Sequence, residues 1–99
     1  MLVINGTFEI DPDHRDAIVA AAIEVQQASR KEEGCLHYVW SADLEDPNRL
    51  HIAEKWVSQE ALDHHFTLPH VAAFLAVTKG KIRGSSAVKY EIAAEGPVR

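Results

Sequence analysis

The stretch RLHIAEKWVSQEAL, Arg49–Leu62, carries two hydrophobic periods back to back. From Arg49 to Val57 the chain alternates, with Leu50, Ile52, Glu54 and Trp56 on one face and His51, Ala53, Lys55 and Val57 on the other, the period-two signature of a strand. At Ser58 the pattern changes. Serine is a strong helix N-cap, Glu60 puts an acid in the positive first turn, and Leu62 and Phe66 recur at helical spacing. A strand therefore feeds a helix, and Glu54 is left as the single carboxylate on an otherwise apolar strand face.

Working back from Arg49, Glu45-Asp46-Pro47-Asn48 is a turn and Cys35–Leu44 alternates again, so the two strands form a hairpin. Alternation puts Leu36, Tyr38, Trp40 and Ala42 on one face and Cys35, His37, Val39 and Ser41 on the other. Further back, Ile18, Ala22, Val25 and Ser29 form a helical stripe. Asp11-Pro12-Asp13 gives that helix a cap, a proline start and a first-turn acid, and Gly34 a stop, which predicts a helix over Pro12–Glu33. Leu2, Ile4, Phe8 and Ile10 alternate with Asn5, Thr7 and Glu9 as a first strand. Working forward, Pro69 interrupts the helix after Ser58 and starts another that runs to Gly80, with Val71, Phe74, Leu75 and Thr78 along it. Ser85–Ala94 is the expected last strand, with Val88, Tyr90 and Ile92 on one side.

The order strand, helix, strand, strand, broken helix, strand is the split βαβ arrangement of a ferredoxin-like α+β fold with a four-stranded antiparallel sheet. Leu2, Ile4, Phe8, Leu36, Tyr38, Trp40, Leu50, Ile52, Trp56, Val88, Tyr90 and Ile92 are expected on the face that the helices cover. Val3, Val39, Ala53 and Val57 stand among polar groups on the other face, which is too apolar for open solvent and too polar for a core. That face is expected to pair with its copy in a homodimer.

Composition narrows the function classes. Ninety-nine residues make one domain, 1–99 with a core of about 1–94, and 46% hydrophobic with 25% charged residues is the balance of a globular chain. A net charge of −5 gives no general attraction to nucleic-acid phosphate or anionic lipid. Cys35 is the only cysteine, so disulfide frameworks and multi-cysteine zinc sites are excluded. Met1–Ile10 has neither a basic leader nor a membrane-spanning apolar run, and a cytoplasmic location without a membrane partner is expected.

Lys31-Glu32-Glu33-Gly34-Cys35, Glu54-Lys55-Trp56-Val57-Ser58-Gln59-Glu60-Ala61-Leu62, His65 and Pro69-His70 together resemble the antibiotic biosynthesis monooxygenase family, most closely its small quinol-monooxygenase-like members. The resemblance covers about residues 1–94. It implies a dimeric α+β barrel with a cleft between sheet and helices in each subunit. It also implies oxidation of phenolic or quinol substrates by dioxygen without flavin, haem or metal; relatives degrade haem or isomerise small metabolites. The haem-degrading branch uses a strand-one asparagine and a tryptophan where this chain has Gly6 and His65, while Asn5 faces away from the cleft by alternation.

Burial against Tyr38, Trp40 and Trp56 would raise the proton affinity of Glu54, as a general base requires; alternatively the glutamate only satisfies a histidine or a backbone amide. His65 shares a helical face with Leu62, and His70 opens the segment after Pro69. Both match the family's recurrent histidines and could take a phenolic proton or hold an oxyanion, the bland readings being a packed core histidine and a helix-start residue bonding locally. Tyr38, Trp40, Trp56, Phe74 and Tyr90 could sandwich a planar ring, or simply fill the core. His64 points to water. A metal site from Glu60, His64, His65 and His70 is not expected, because adjacent helical histidines diverge by about 100 degrees. Lys79, Lys81 and Arg83 suit a helix C-terminus, and Cys35 reads as a small buried hydrophobe.

The leading expectation is a cofactor-independent monooxygenase acting on a phenolic or quinol substrate with dioxygen. Glu54 or His65 would be the base, His70 would steady the oxyanion and Trp56 would pack on the ring. The alternatives are a non-catalytic small-molecule-binding stress-response module, and an isomerase of a small metabolite, for which a more polar cleft would be expected.

Overall fold

In a computed structural model that describes residues 1–99, the split βαβ order is realised. Strand β1 spans Leu2–Ile10, helix α1 Arg15–Ser29, β2 Cys35–Ala42, β3 Arg49–Trp56, α2 Gln59–His65, α3 Pro69–Thr78 and β4 Ile82–Glu91. The four strands form one antiparallel sheet in the order β2-β3-β1-β4. No helix is long and apolar enough to cross a membrane.

The local signals act where their chemistry places them. Asp11 Oδ1 accepts from the Asp13 amide at 3.0 Å over a short 3-10 turn, Pro12–His14, that leads into α1. Ser58 Oγ accepts from the Ala61 amide at 3.2 Å and starts α2. Pro69 holds Leu68 extended, which separates α3 from α2. One face of the sheet is covered: Leu2, Val25, Tyr38, Ile52, Trp56 and Leu62 form the main core, and Ile10, Ile18 and Leu50 a second cluster. Trp56 has no exposed surface, so its truncation to alanine would cost about 3–5 kcal/mol. The open edge of β2 is partly blunted by α1, whose Gln26 Oε1 accepts from the Trp40 amide at 2.7 Å.

Three boundaries differ from the sequence expectation, and each moves side chains. First, α1 ends at Ser29, and residues 30–34 form a turn closed by Gly34 at φ +89°, so Glu32 lies on a loop. Second, the β2–β3 register shifts between Cys35 and His37. This bulge turns Leu36 out to 49% exposure and packs Cys35 against the core, the reverse of simple alternation. Third, β4 begins three residues earlier than expected and pairs Glu91, Lys89 and Ala87 with Leu2, Ile4 and Gly6. Directly paired residues share a face, so Ala87 and Lys89 face the helices. Val88 and Tyr90, paired with Asn5 and Val3, lie on the opposite face.

Candidate active site

Between the sheet and helices α2 and α3 lies a cavity of about 530 Å³ with mostly apolar walls. Tyr38, Trp40, Glu54, His65 and Phe74 line it, so five of the expected site residues meet there. Three others do not. Trp56 is fully buried behind the wall, because it closes the row that starts at Leu2. His70 lies beside α1 and bonds to Glu32 instead of the cavity. Tyr90 is on the far face of the sheet, for the register reason given above.

Glu54 and His65 are linked through Trp56. The indole Nε1–H donates to Glu54 Oε1 at 3.0 Å, and the same indole packs against the His65 ring with centroids 4.7 Å apart. Burial pushes the Glu54 carboxyl above its ordinary range; the indole hydrogen bond and the nearby His65 oppose this in part, and Glu32 adds to it. Burial likewise raises the Tyr38 phenol, which keeps it neutral.

Sequence reasoning missed Glu32. Its Oε2 lies 2.6 Å from His65 Nδ1 and 2.7 Å from His70 Nε2. A carboxylate oxygen only accepts, so both nitrogens donate to it, and the neutral form of His65 that this contact selects carries its lone pair on Nε2. The quoted run Lys31-Glu32-Glu33-Gly34-Cys35 held the signal: an acid just before a helix-stopping glycine. Extending α1 through Glu33 hid it.

Glu32, His65 and His70 also form a group of metal-type donors, all within 4.8 Å of one another. One oxygen within 2.7 Å of both nitrogens is hydrogen-bond spacing, however, whereas ligands about 2.1 Å from a shared ion stand roughly 3 Å or more apart. The group fits protons better than an ion. Cys35, with its thiol pushed up to about 11 mainly by burial, is no nucleophile. At Gly6 a Cβ would stand 2.8 Å from Ile52 Cγ2, so strand one offers no side chain at that position of the cavity face. Asn5 lines a separate hollow of about 510 Å³ on the far face.

The fold is that of a ferredoxin-like α+β protein, and its cavity brings together an acid and an imidazole held by a second acid. The antibiotic biosynthesis monooxygenase model matches residues 1–77, and the chain belongs to that family. It is 30% identical over 81 residues to "Putative monooxygenase YcnE" of Bacillus subtilis, covering 82% of this chain and 83% of that protein. It is 28% identical over 93 residues to the uncharacterized protein sll1783 of Synechocystis sp., covering 93% of this chain but only 63% of that longer protein. Among solved structures, a putative antibiotic biosynthesis monooxygenase from Deinococcus radiodurans superposes with a TM-score of 0.90 at 27% identity, covering 100% and 99% of the two chains. Rv0793 from Mycobacterium tuberculosis shares the fold with a TM-score of 0.87 at 24% identity, covering 97% and 98%.

Proposed function

We propose that the protein is a cofactor-independent monooxygenase that oxidises a phenolic or quinol-type aromatic with dioxygen. The observation that carries this reading is that Glu54 and His65 share one apolar cavity, with His65 tied at Nδ1 to Glu32. A ring seated against Tyr38, Trp40 and Phe74 brings its hydroxyl to the imidazole, and Nε2 takes the phenolic proton. Glu54, its proton affinity raised by burial, lines the same cavity and exchanges a proton with the substrate's second oxygen, which a glutamine could not do. His70 acts one step back, by sharing the carboxylate that orients His65.

A phenolate in such a cavity is electron-rich enough to pass an electron to dioxygen. Recombination forms the carbon–oxygen bond, and loss of water breaks the oxygen–oxygen bond. A hydroquinone plus dioxygen thus gives a hydroxyquinone plus water, and the electrons that reduce dioxygen all come from the ring. Low water content protects the intermediate. The test is oxygen uptake on a hydroquinone panel by chelator-treated protein, with isotope-labelled dioxygen tracing one atom into product. Glu54→Gln and His65→Asn should each lose roughly a hundredfold or more in kcat. Ligand binding without oxygen uptake across the panel would reject the reading.

The far sheet face supports a homodimer. It carries Val3, Val39 and Ala53, joined by Val88 and Tyr90 at 46% and 50% exposure, whereas Val57, expected there, follows the end of β3 and packs beside Gly34 and α2. The chain exposes 6472 Å², against roughly 5,600 Å² for a compact monomer of its mass.

A further inference from the structure

We propose that the cavity selects an aromatic substrate bearing a carboxylate, and that Lys89 recognises it. This inference rests on the phenol-oxidising reading of the same cavity. Ile4 pairs with Glu54 on one side and with Lys89 on the other, and Glu54 pairs in turn with Tyr38. Tyr38, Glu54, Ile4 and Lys89 are therefore one row across the sheet, with all four side chains on the helix-covered face. Neighbouring strands lie about 4.8 Å apart, which puts the Glu54 and Lys89 backbones roughly 10 Å from each other. That interval seats one aromatic ring between a proton-handling end and a cationic end.

Lys89 is the only lysine or arginine in the cavity wall. Its ammonium donates to the neutral amide oxygen of Gln59, whose own amide donates to Asp63 Oδ1 at 2.8 Å. No carboxylate lies within ion-pair reach of Lys89, whereas Lys55 is neutralised by Glu95. Glu91, the next residue on that face of β4, lies outside the cavity wall. A neutral hydroquinone would leave this cation unused at the lip of an apolar cavity. A ring-bound carboxylate would pair with it, and because it lies flat with the ring it suits the aromatic walls. A single ammonium matches a single negative charge.

The test is calorimetric binding without oxygen, at neutral pH and low salt, of 2,5-dihydroxybenzoate and its methyl ester to the wild-type, Lys89→Gln and Lys89→Arg proteins. Wild type should bind the acid about fivefold more tightly than the ester, as suits an ion pair at a partly exposed lip. Lys89→Gln should abolish that preference and Lys89→Arg keep it, with ester affinity alike in all three. Equal affinities in wild type, no binding of the acid, or a preference that survives in Lys89→Gln would each overturn the proposal. Oxygen uptake separates the two readings. A Lys89-dependent preference without uptake keeps the anion subsite and removes the oxygenase, and uptake without a preference does the reverse.

Discussion

Glu32 Oε2 stands 2.6 Å from His65 Nδ1, and the two side chains are only 7% and 4% exposed. A loop acid thus decides which nitrogen of a helix histidine can act as a base. Glu32→Gln retains an oxygen acceptor but loses the charge that favours the imidazolium formed on proton transfer. It should lower kcat roughly 10–100-fold with little change in KM. Glu32→Ala also strands a buried N–H and should cost about 1–3 kcal/mol of stability, read by denaturant unfolding. Unchanged kcat in Glu32→Gln would remove Glu32 from the mechanism.

The raised proton affinity of Glu54 has a thermodynamic signature. In the window above its ordinary value of 4.5, the folded state binds the proton that the unfolded state has released. Folding stability therefore falls as pH rises through that window and stays lower above it. Glu54→Gln still accepts from the Trp56 indole and should flatten this slope, so that Tm rises relative to wild type at pH 8 but not at pH 4. Parallel Tm curves for the two proteins would contradict the burial argument.

The indole of Trp56 lowers the same carboxyl by donating to it. Trp56→Phe preserves most of the packing but removes the donor, so the limb of the kcat/KM profile that reports Glu54 should move to higher pH. A limb that does not move would assign it to another group.

The sheet-face homodimer predicts that Val39→Asp, a charge at the centre of β2 on the far face, yields a monomer in sedimentation at micromolar concentrations while wild type sediments as a dimer. A wild-type monomer across that range would dismiss the interface.

Element order was legible because its signals are local: Asp11-Pro12, Gly34, Ser58 and Pro69 each act within a turn of their own position. Glu54 and His65 were legible for the same reason, as an acid and an imidazole on apolar faces. What failed was non-local. The Cys35/His37 bulge and the register of β4 against β1 are set by partners far along the chain, and a one-residue change of parity exchanges every side chain between faces. That one exchange took Tyr90 out of the cavity and brought Lys89 in. Glu32 was hidden by where α1 ends, since one more helical turn would carry its carboxylate away from His65 and His70.

Proton removal inside the cavity is read most directly from the absorption spectrum of a redox-inert phenol, 4-nitrophenol, bound at a pH below its solution pKa. Wild-type protein should hold it as the phenolate, and His65→Asn should hold it as the neutral phenol. A bound phenol that stays protonated in wild type, or one that ionises equally without His65, would contradict the account.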